Sequence, residues 1–146
     1  SNLLHSDVTI LAAGSWTNTE YIRKLNVNQK KIIRIISMAS YNAPTAPLYK
    51  ELQILKIADI TKLCILKIMY KSYHRTNTGL CRLDLFIANS RNPELFFIPS
   101  IRLNTTKFSL SYQGPIHWNP TNCEMKKLPT IHSFKRNITH SILNSY

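Results

Sequence analysis

Residues 59 to 75 read Asp-Ile-Thr-Lys-Leu-Cys-Ile-Leu-Lys-Ile-Met-Tyr-Lys-Ser-Tyr-His-Arg, and they constrain the fold more than any other stretch. Wound as a helix, Ile60, Leu63, Cys64, Leu66, Ile68, Met69, Tyr70 and Tyr73 cover most of its circumference. Lys56, Lys62, Lys67 and Lys71 leave one narrow wet stripe at near i, i+4 spacing. A helix apolar on so many sides has to sit centrally, with other elements covering it. The chain must therefore supply several amphipathic segments around this one.

It supplies at least three. Thr17-Asn18-Thr19-Glu20 has the form of a capping box, and the helix it opens is expected to run to about Ala39. Ile22, Leu25, Ile32 and Ile36, flanked by Ile33 and Ile35, recur along it at helical spacing and are expected to form its inward stripe. Arg23, Lys24, Lys30, Lys31 and Arg34 lie largely off that stripe. Pro44 ends the segment, because a residue before proline avoids the helical region. Thr45 is a candidate cap for a short helix with Pro47 in its first turn and Leu48, Tyr49 and Leu52 as its apolar side. Thr76-Asn77-Thr78-Gly79 stops the central helix. Near the end, Thr130 caps a helix to about Leu143 with the stripe Ile131, Phe134, Ile138 and Ile142.

The remainder reads as extended or turn-like. Residues 3 to 15 are weakly apolar and allow a short helix or a strand. Leu95-Phe96-Phe97-Ile98 is a short apolar run that could be a strand. Phe108-Ser109-Leu110-Ser111-Tyr112 alternates apolar and polar, the pattern of an extended piece with Phe108, Leu110 and Tyr112 facing in. Gly114-Pro115 then forms a fixed corner, and Trp118 behind it reads as core, with Trp118-Asn119 latching the last helix to the central one; the alternative is Tyr112 and Trp118 stacking on unpaired bases. The expected fold is mainly α: one small helical domain over residues 1–146, about four helices, and a short extended segment before the last.

Charge sets the partner class. Nineteen Lys and Arg against seven Asp and Glu give a net +12 over 146 residues. Such an excess favours polyanions, nucleic acid ahead of an anionic membrane surface. No segment reaches transmembrane length, and Val8 to Ala13 is too short and lacks the basic leader of a secretory signal. Cys64, Cys81 and Cys123 are odd in number with no Cys-x-x-Cys pair, so they read as reduced thiols of an intracellular protein, nuclear or cytoplasmic. The opening Ser1 suits a fragment or an excised domain.

An ordered set of short motifs resembles the C-terminal region of non-LTR retrotransposon reverse transcriptases of the jockey type. In order, these are Ser15-Trp16; Gln29-Lys30 with Arg34-Ile35-Ile36; Pro47-Leu48-Tyr49-Lys50-Glu51-Leu52 with Ile54-Leu55; and Met69-Tyr70-Lys71. Arg102 to Asn104, Gly114-Pro115-Ile116-His117-Trp118-Asn119, Leu128-Pro129 and Ser133-Phe134-Lys135-Arg136 follow. The chain departs from the family in three places. Thr17 replaces a Gly, the family's His-Tyr-x-Thr-Arg element is reduced to Ser90-Arg91, and its Ser-Leu-Pro becomes Pro120-Thr121-Asn122. The resemblance implies thumb-like helices over 1–79 and a tail over 80–146, placed after a polymerase palm. It implies contact with RNA or an RNA–DNA hybrid and with the rest of the polymerase.

Catalytic chemistry finds no foothold. A polymerase palm needs paired carboxylates to hold two metal ions about 3.5–4 Å apart. Asp7, Asp59 and Asp84 are isolated, and there is no glycine-rich phosphate loop. The five histidines His5, His74, His117, His132 and His140 lack ligand spacing, and no motif arms Cys81 or Cys123 as a nucleophile. The chain is read as a non-enzyme without cofactor or metal. The candidate phosphate contacts are Arg23, Lys24, Lys30, Lys31 and Arg34, with a second patch at Lys126, Lys127, Lys135 and Arg136. The competing readings are a helical docking module and a relic of a mobile element that folds without activity.

Overall fold

The computed structural model describes residues 19–74, 89, 91–92, 94–102, 107 and 109–146. The fold is mainly helical. Six helices occur among the described residues: α1 Thr19–Ile36, α2 Thr45–Glu51, α3 Ile57–Tyr73, α4 Leu110–Trp118, α5 Cys123–Lys126 and α6 Ile131–Asn144. None of the described residues forms a sheet. The expectations for residues 3–15, the Thr17 cap, the Thr76 to Gly79 stop, Phe108 and Asn104 lie outside the described residues.

The chain divides into two compact units. The first holds described residues 19–61 and 138–146, the second those between 62 and 137.

In the first unit, α1 ends three residues after Ile33 has turned inward for the last time. The Met38 N–H donates to Ile35 O at 3.1 Å and the Ala39 N–H to Arg34 O at 2.9 Å, with Met38 at φ 50°. This crossed pair of bonds is a Schellman closure, which caps the helix at Ile36, short of the expected Ala39. The same closure ends α2. Gln53 sits at φ 54°, its N–H bonded to Lys50 O at 3.2 Å, and Ile54 N–H bonds Tyr49 O at 3.0 Å. At the other end of α2, Pro44 and not Thr45 is the capping residue. Its ψ of 129° is extended and no side chain caps the helix, so Thr45 is the first helical residue.

The inward face of α1 keeps only part of the isoleucine stripe read from the sequence. Ile33 is buried, but Ile32, Ile35 and Ile36 are exposed. The face turned inward runs through Ile22, Asn26, Gln29 and Ile33, one line at i, i+4, i+7 and i+11. Gln29 explains the choice. Its Nε2 donates to Leu55 O at 2.9 Å, while Oε1 accepts from Tyr49 Oη at 3.1 Å and from the Ile57 N–H at 3.2 Å. One amide thus ties α1 to α2 and to the start of α3, a bond set that a purely apolar stripe could not make.

Tyr146 closes the same unit. Its hydroxyl donates to the Asp59 carboxylate and accepts from the Lys56 N–H at 2.9 Å. Its ring meets Tyr49 edge-on with centroids 6.0 Å apart, and Lys56 Nζ lies 4.0 Å from its centroid.

The second unit is built around Trp118, which has no exposed surface. Tyr73 of α3, Phe134 of α6 and Phe96 surround it, with ring centroids at 5.3, 6.0 and 6.2 Å. Tyr70 stacks on Phe134 at 4.7 Å. Two carbonyls of the α5–α6 segment are held by Tyr70 of α3 and by His74, the residue after that helix. Tyr70 Oη donates to Leu128 O at 2.5 Å, and His74 Nε2 donates to Lys126 O at 2.7 Å, which requires the Nε2–H form. Burial raises the Tyr70 hydroxyl above the ordinary phenol range. The expected centrality of α3 holds for Leu63, Cys64, Leu66, Met69 and Tyr70, all buried, whereas Ile60 is exposed.

The extended piece expected before the Gly-Pro corner is instead the start of a helix. Ser109 is the extended N-cap, with φ −72° and ψ 148°, and α4 runs through Gly114 and Pro115 to Trp118. A proline inside a helix costs about 3 kcal/mol. Burying an aromatic of about 200 Å² at about 25 cal/mol per Å² returns roughly 5 kcal/mol. Continuing the helix puts Gly114, Pro115 and Trp118 on one buried face, so packing overrides the local penalty. The apolar run Leu95 to Ile98 is not a strand: Leu95 sits in a bend and Phe96 in an isolated bridge. Asn119 holds it: Oδ1 accepts from the Phe96 N–H at 3.0 Å and Nδ2 donates to Phe96 O at 2.9 Å. The last helix starts as expected, with Thr130 Oγ1 accepting from the Ser133 N–H at 3.2 Å.

Candidate nucleic-acid interface

The basic residues of α1 follow from its inward face. With Gln29 and Ile33 turned in, residues 23, 27, 30 and 34 fall on one line, and residues 24 and 31 lie one step around the helix. Arg23, Lys24, Lys30, Lys31 and Arg34 therefore share one side of α1, interrupted by the exposed Val27.

Their availability differs. Arg23 grips Glu20 through two nitrogens at 2.9 and 2.8 Å, and Lys24 Nζ lies 3.9 Å from the same carboxylate. The Arg23 guanidinium holds the Glu20 carboxyl below the usual carboxylate range, and Glu20 in turn raises Arg23. This first turn is an exposed charge cluster with one negative charge among two positive ones. Arg34 is half-buried, and its Nε donates to Ala43 O at 3.0 Å, pinning the loop that leads to α2. One of its five N–H donors is thereby used in the fold. Lys30 and Lys31 are exposed and have no carboxylate partner among the described residues.

The second patch does not hold together as expected. Lys126 is buried, with 1% of its surface exposed. Its Nζ donates to Asn119 O at 3.2 Å and lies 5.4 Å from the Trp118 ring centroid. Burial lowers its ammonium below the ordinary lysine range, against the opposing pull of Cys123 and Glu94. A side chain so enclosed cannot reach a phosphate, so Lys126 belongs to the core of its unit. The sequence reading missed this because Lys126-Lys127 looks like a solvated pair; the four-residue α5 turns one lysine in and the other out.

Lys127 is exposed and pairs with Glu94 at 2.8 Å. The pairing raises Lys127 and lowers Glu94. Glu94 also bonds the Cys123 thiol and raises it, keeping it protonated and a poor nucleophile. Lys135 and Arg136 are exposed on α6. The strongest cationic positions are thus Lys30 and Lys31 in the first unit and Lys135 and Arg136 in the second.

Other polar groups are absorbed by the fold. Tyr112 is half-buried within α4, and His117 is held below its ordinary range by burial and by Lys62. Among the described residues no three His, Cys, Asp or Glu side chains converge on a point. Among them, too, no helix is long and apolar enough to cross a membrane. No protein-family model, no curated protein and no solved structure matches the chain.

Proposed function

We propose that the chain is a nucleic-acid-binding C-terminal segment of a retrotransposon reverse transcriptase of the jockey-like type. It would grip the phosphate backbone of RNA or an RNA–DNA hybrid while the catalytic carboxylates reside elsewhere in the polymerase. The observation that carries the reading is the α1 face, where exposed Lys30 and Lys31 share one side of the helix with Arg23 and Arg34 in a chain of net charge +12. A helix with cations on one side lies along a duplex backbone, and each phosphate contact releases counterions. The order of motifs from Gln29-Lys30 to Ser133-Phe134-Lys135 supports the family assignment, and the absence of paired aspartates supports a non-catalytic role.

The test is binding of the purified chain to labelled RNA–DNA hybrid, duplex DNA and heparin across a salt series. Each contact removed from a duplex flattens the log K against log salt slope by about 0.9. The double variant Lys30→Glu, Lys31→Glu is expected to weaken hybrid binding and flatten that slope by about 2. Equal affinity for heparin and hybrid, with no response to the double variant, would reject the reading.

A further inference from the structure

Where α1 ends, the first unit exposes an apolar surface that nothing in its own core uses. Ile32, Ile35 and Ile36 stand exposed at i, i+3 and i+4. Met38 is 96% exposed and Tyr41 78% exposed. Next to them is an open groove of about 570 Å³ lined by Lys31, Arg34, Ile35, Met38, Ala39 and Tyr41. That size lies within the range of ligand sites, and contiguous exposed apolar side chains of this kind mark interaction surfaces.

We infer that this groove docks an acidic amphipathic peptide segment of a partner protein. The lining argues for apolar anchors. Ile35 and Met38 are aliphatic and thioether surfaces, and a methionine adapts its shape to varied side chains. Met38 is held outward by the Schellman bonds at its left-handed backbone, so the surface is preorganised before a partner arrives. The rim argues for acid. Lys31 and Arg34 border the groove, and no carboxylate lines it.

The rival occupants fit less well. A second copy would bring another +12 against this face. A single-stranded nucleic acid seeks successive aromatic platforms, and Tyr41 is the one aromatic ring in the lining. The inference does not rest on the nucleic-acid reading, although the two share Lys31 and Arg34.

A library of random 12-residue peptides displayed on phage would be selected on the intact chain, with depletion on the Ile35→Glu, Met38→Glu variant. Both positions are exposed, and matching circular dichroism and melting curves establish that the variant folds. The expected result is enrichment of peptides that combine Leu, Ile, Phe or Met with Asp or Glu. A synthetic copy of an enriched peptide should bind at least about tenfold more weakly to Met38→Glu and to Lys31→Glu. Exchanging its acidic residues for Lys should restore binding to Lys31→Glu.

Absence of enrichment over the depleted background, or enrichment of basic peptides, would overturn the inference. So would a concentration-dependent dimer lost in Ile35→Glu, binding to anionic vesicles lost in the same variant, or a tenfold fall in single-stranded RNA binding on Met38→Glu. Hybrid binding that depends on Lys30 but not on Met38 keeps the two proposals separable, whichever fails.

Discussion

Replacing Asn119 by Ala isolates the bond set on which the second unit's packing of residues 94 to 98 depends. The carboxamide makes two hydrogen bonds, 3.0 and 2.9 Å long, to the N–H and C=O of Phe96, a residue that is itself buried. An alanine supplies neither the donor nor the acceptor of these two bonds. A part-buried neutral bond contributes about 1 kcal/mol, so losing two should cost about 2 kcal/mol. Asn119→Asp sharpens the test. The carboxylate keeps an acceptor for the Phe96 N–H but faces Phe96 O with no proton to donate. The aspartate variant should therefore lose stability against the parent at neutral pH, where its carboxyl is charged. Urea unfolding followed by Trp118 fluorescence reads both effects, with Asn122→Ala as a control. Asn122 makes a single exposed capping bond to the Glu124 N–H, and its loss should cost no more than about 1 kcal/mol. An Asn119→Ala protein within about 0.5 kcal/mol of the parent would show that the clamp contributes nothing.

Four further outcomes are expected. Met38→Gly should stabilise the chain by about 0.5–1 kcal/mol in thermal or urea unfolding, since φ 50° strains any side-chain-bearing residue. Ser72 is buried with its hydroxyl unpaired, so Ser72→Ala should raise stability by about 1 kcal/mol, and a destabilised variant would contradict the orphan assignment. Tyr146 is pushed up to about 12 by burial and by its bond to Asp59. Its phenol stabilises the fold fully below its unfolded value of about 10, and that contribution is lost as pH rises toward 12. The stability difference between the parent and Tyr146→Phe should accordingly shrink between pH 9 and pH 11.5. Lys126→Met should leave hybrid affinity unchanged, as the ammonium is buried and the stem volume is kept, while Lys30→Glu lowers it.

Much of this architecture was written locally. The near-continuous apolar cover of residues 59 to 75 demanded a central helix, and α3 supplies the rings and aliphatics at the centre of the second unit. Thr130 announced α6 because a hydroxyl three residues before a free N–H is a short-range signal that needs no tertiary partner. The character of Trp118 as core was also legible, because no small unit can leave so large a ring unused.

Tertiary packing decided the rest. Two rows of isoleucine competed for the inside of α1, and periodicity alone could not say that Gln29 would outbid Ile32 and Ile36. Its three hydrogen bonds to α2, Leu55 and Ile57 reach across 20 to 28 residues. The alternation at residues 108 to 112 looked extended because a strand and the first turn of a helix share that short pattern. The burial of Gly114, Pro115 and Trp118 on one face settled it. Lys126 and Lys127 are neighbours of one chemical type with opposite fates, set by the orientation of a four-residue helix. Composition by itself determined the net charge and the supply of helix-forming segments. Which cations face outward, and which apolar side chains remain uncovered, depended on contacts between residues distant in the chain, where hydrogen-bond geometry and ring packing outweigh local preference.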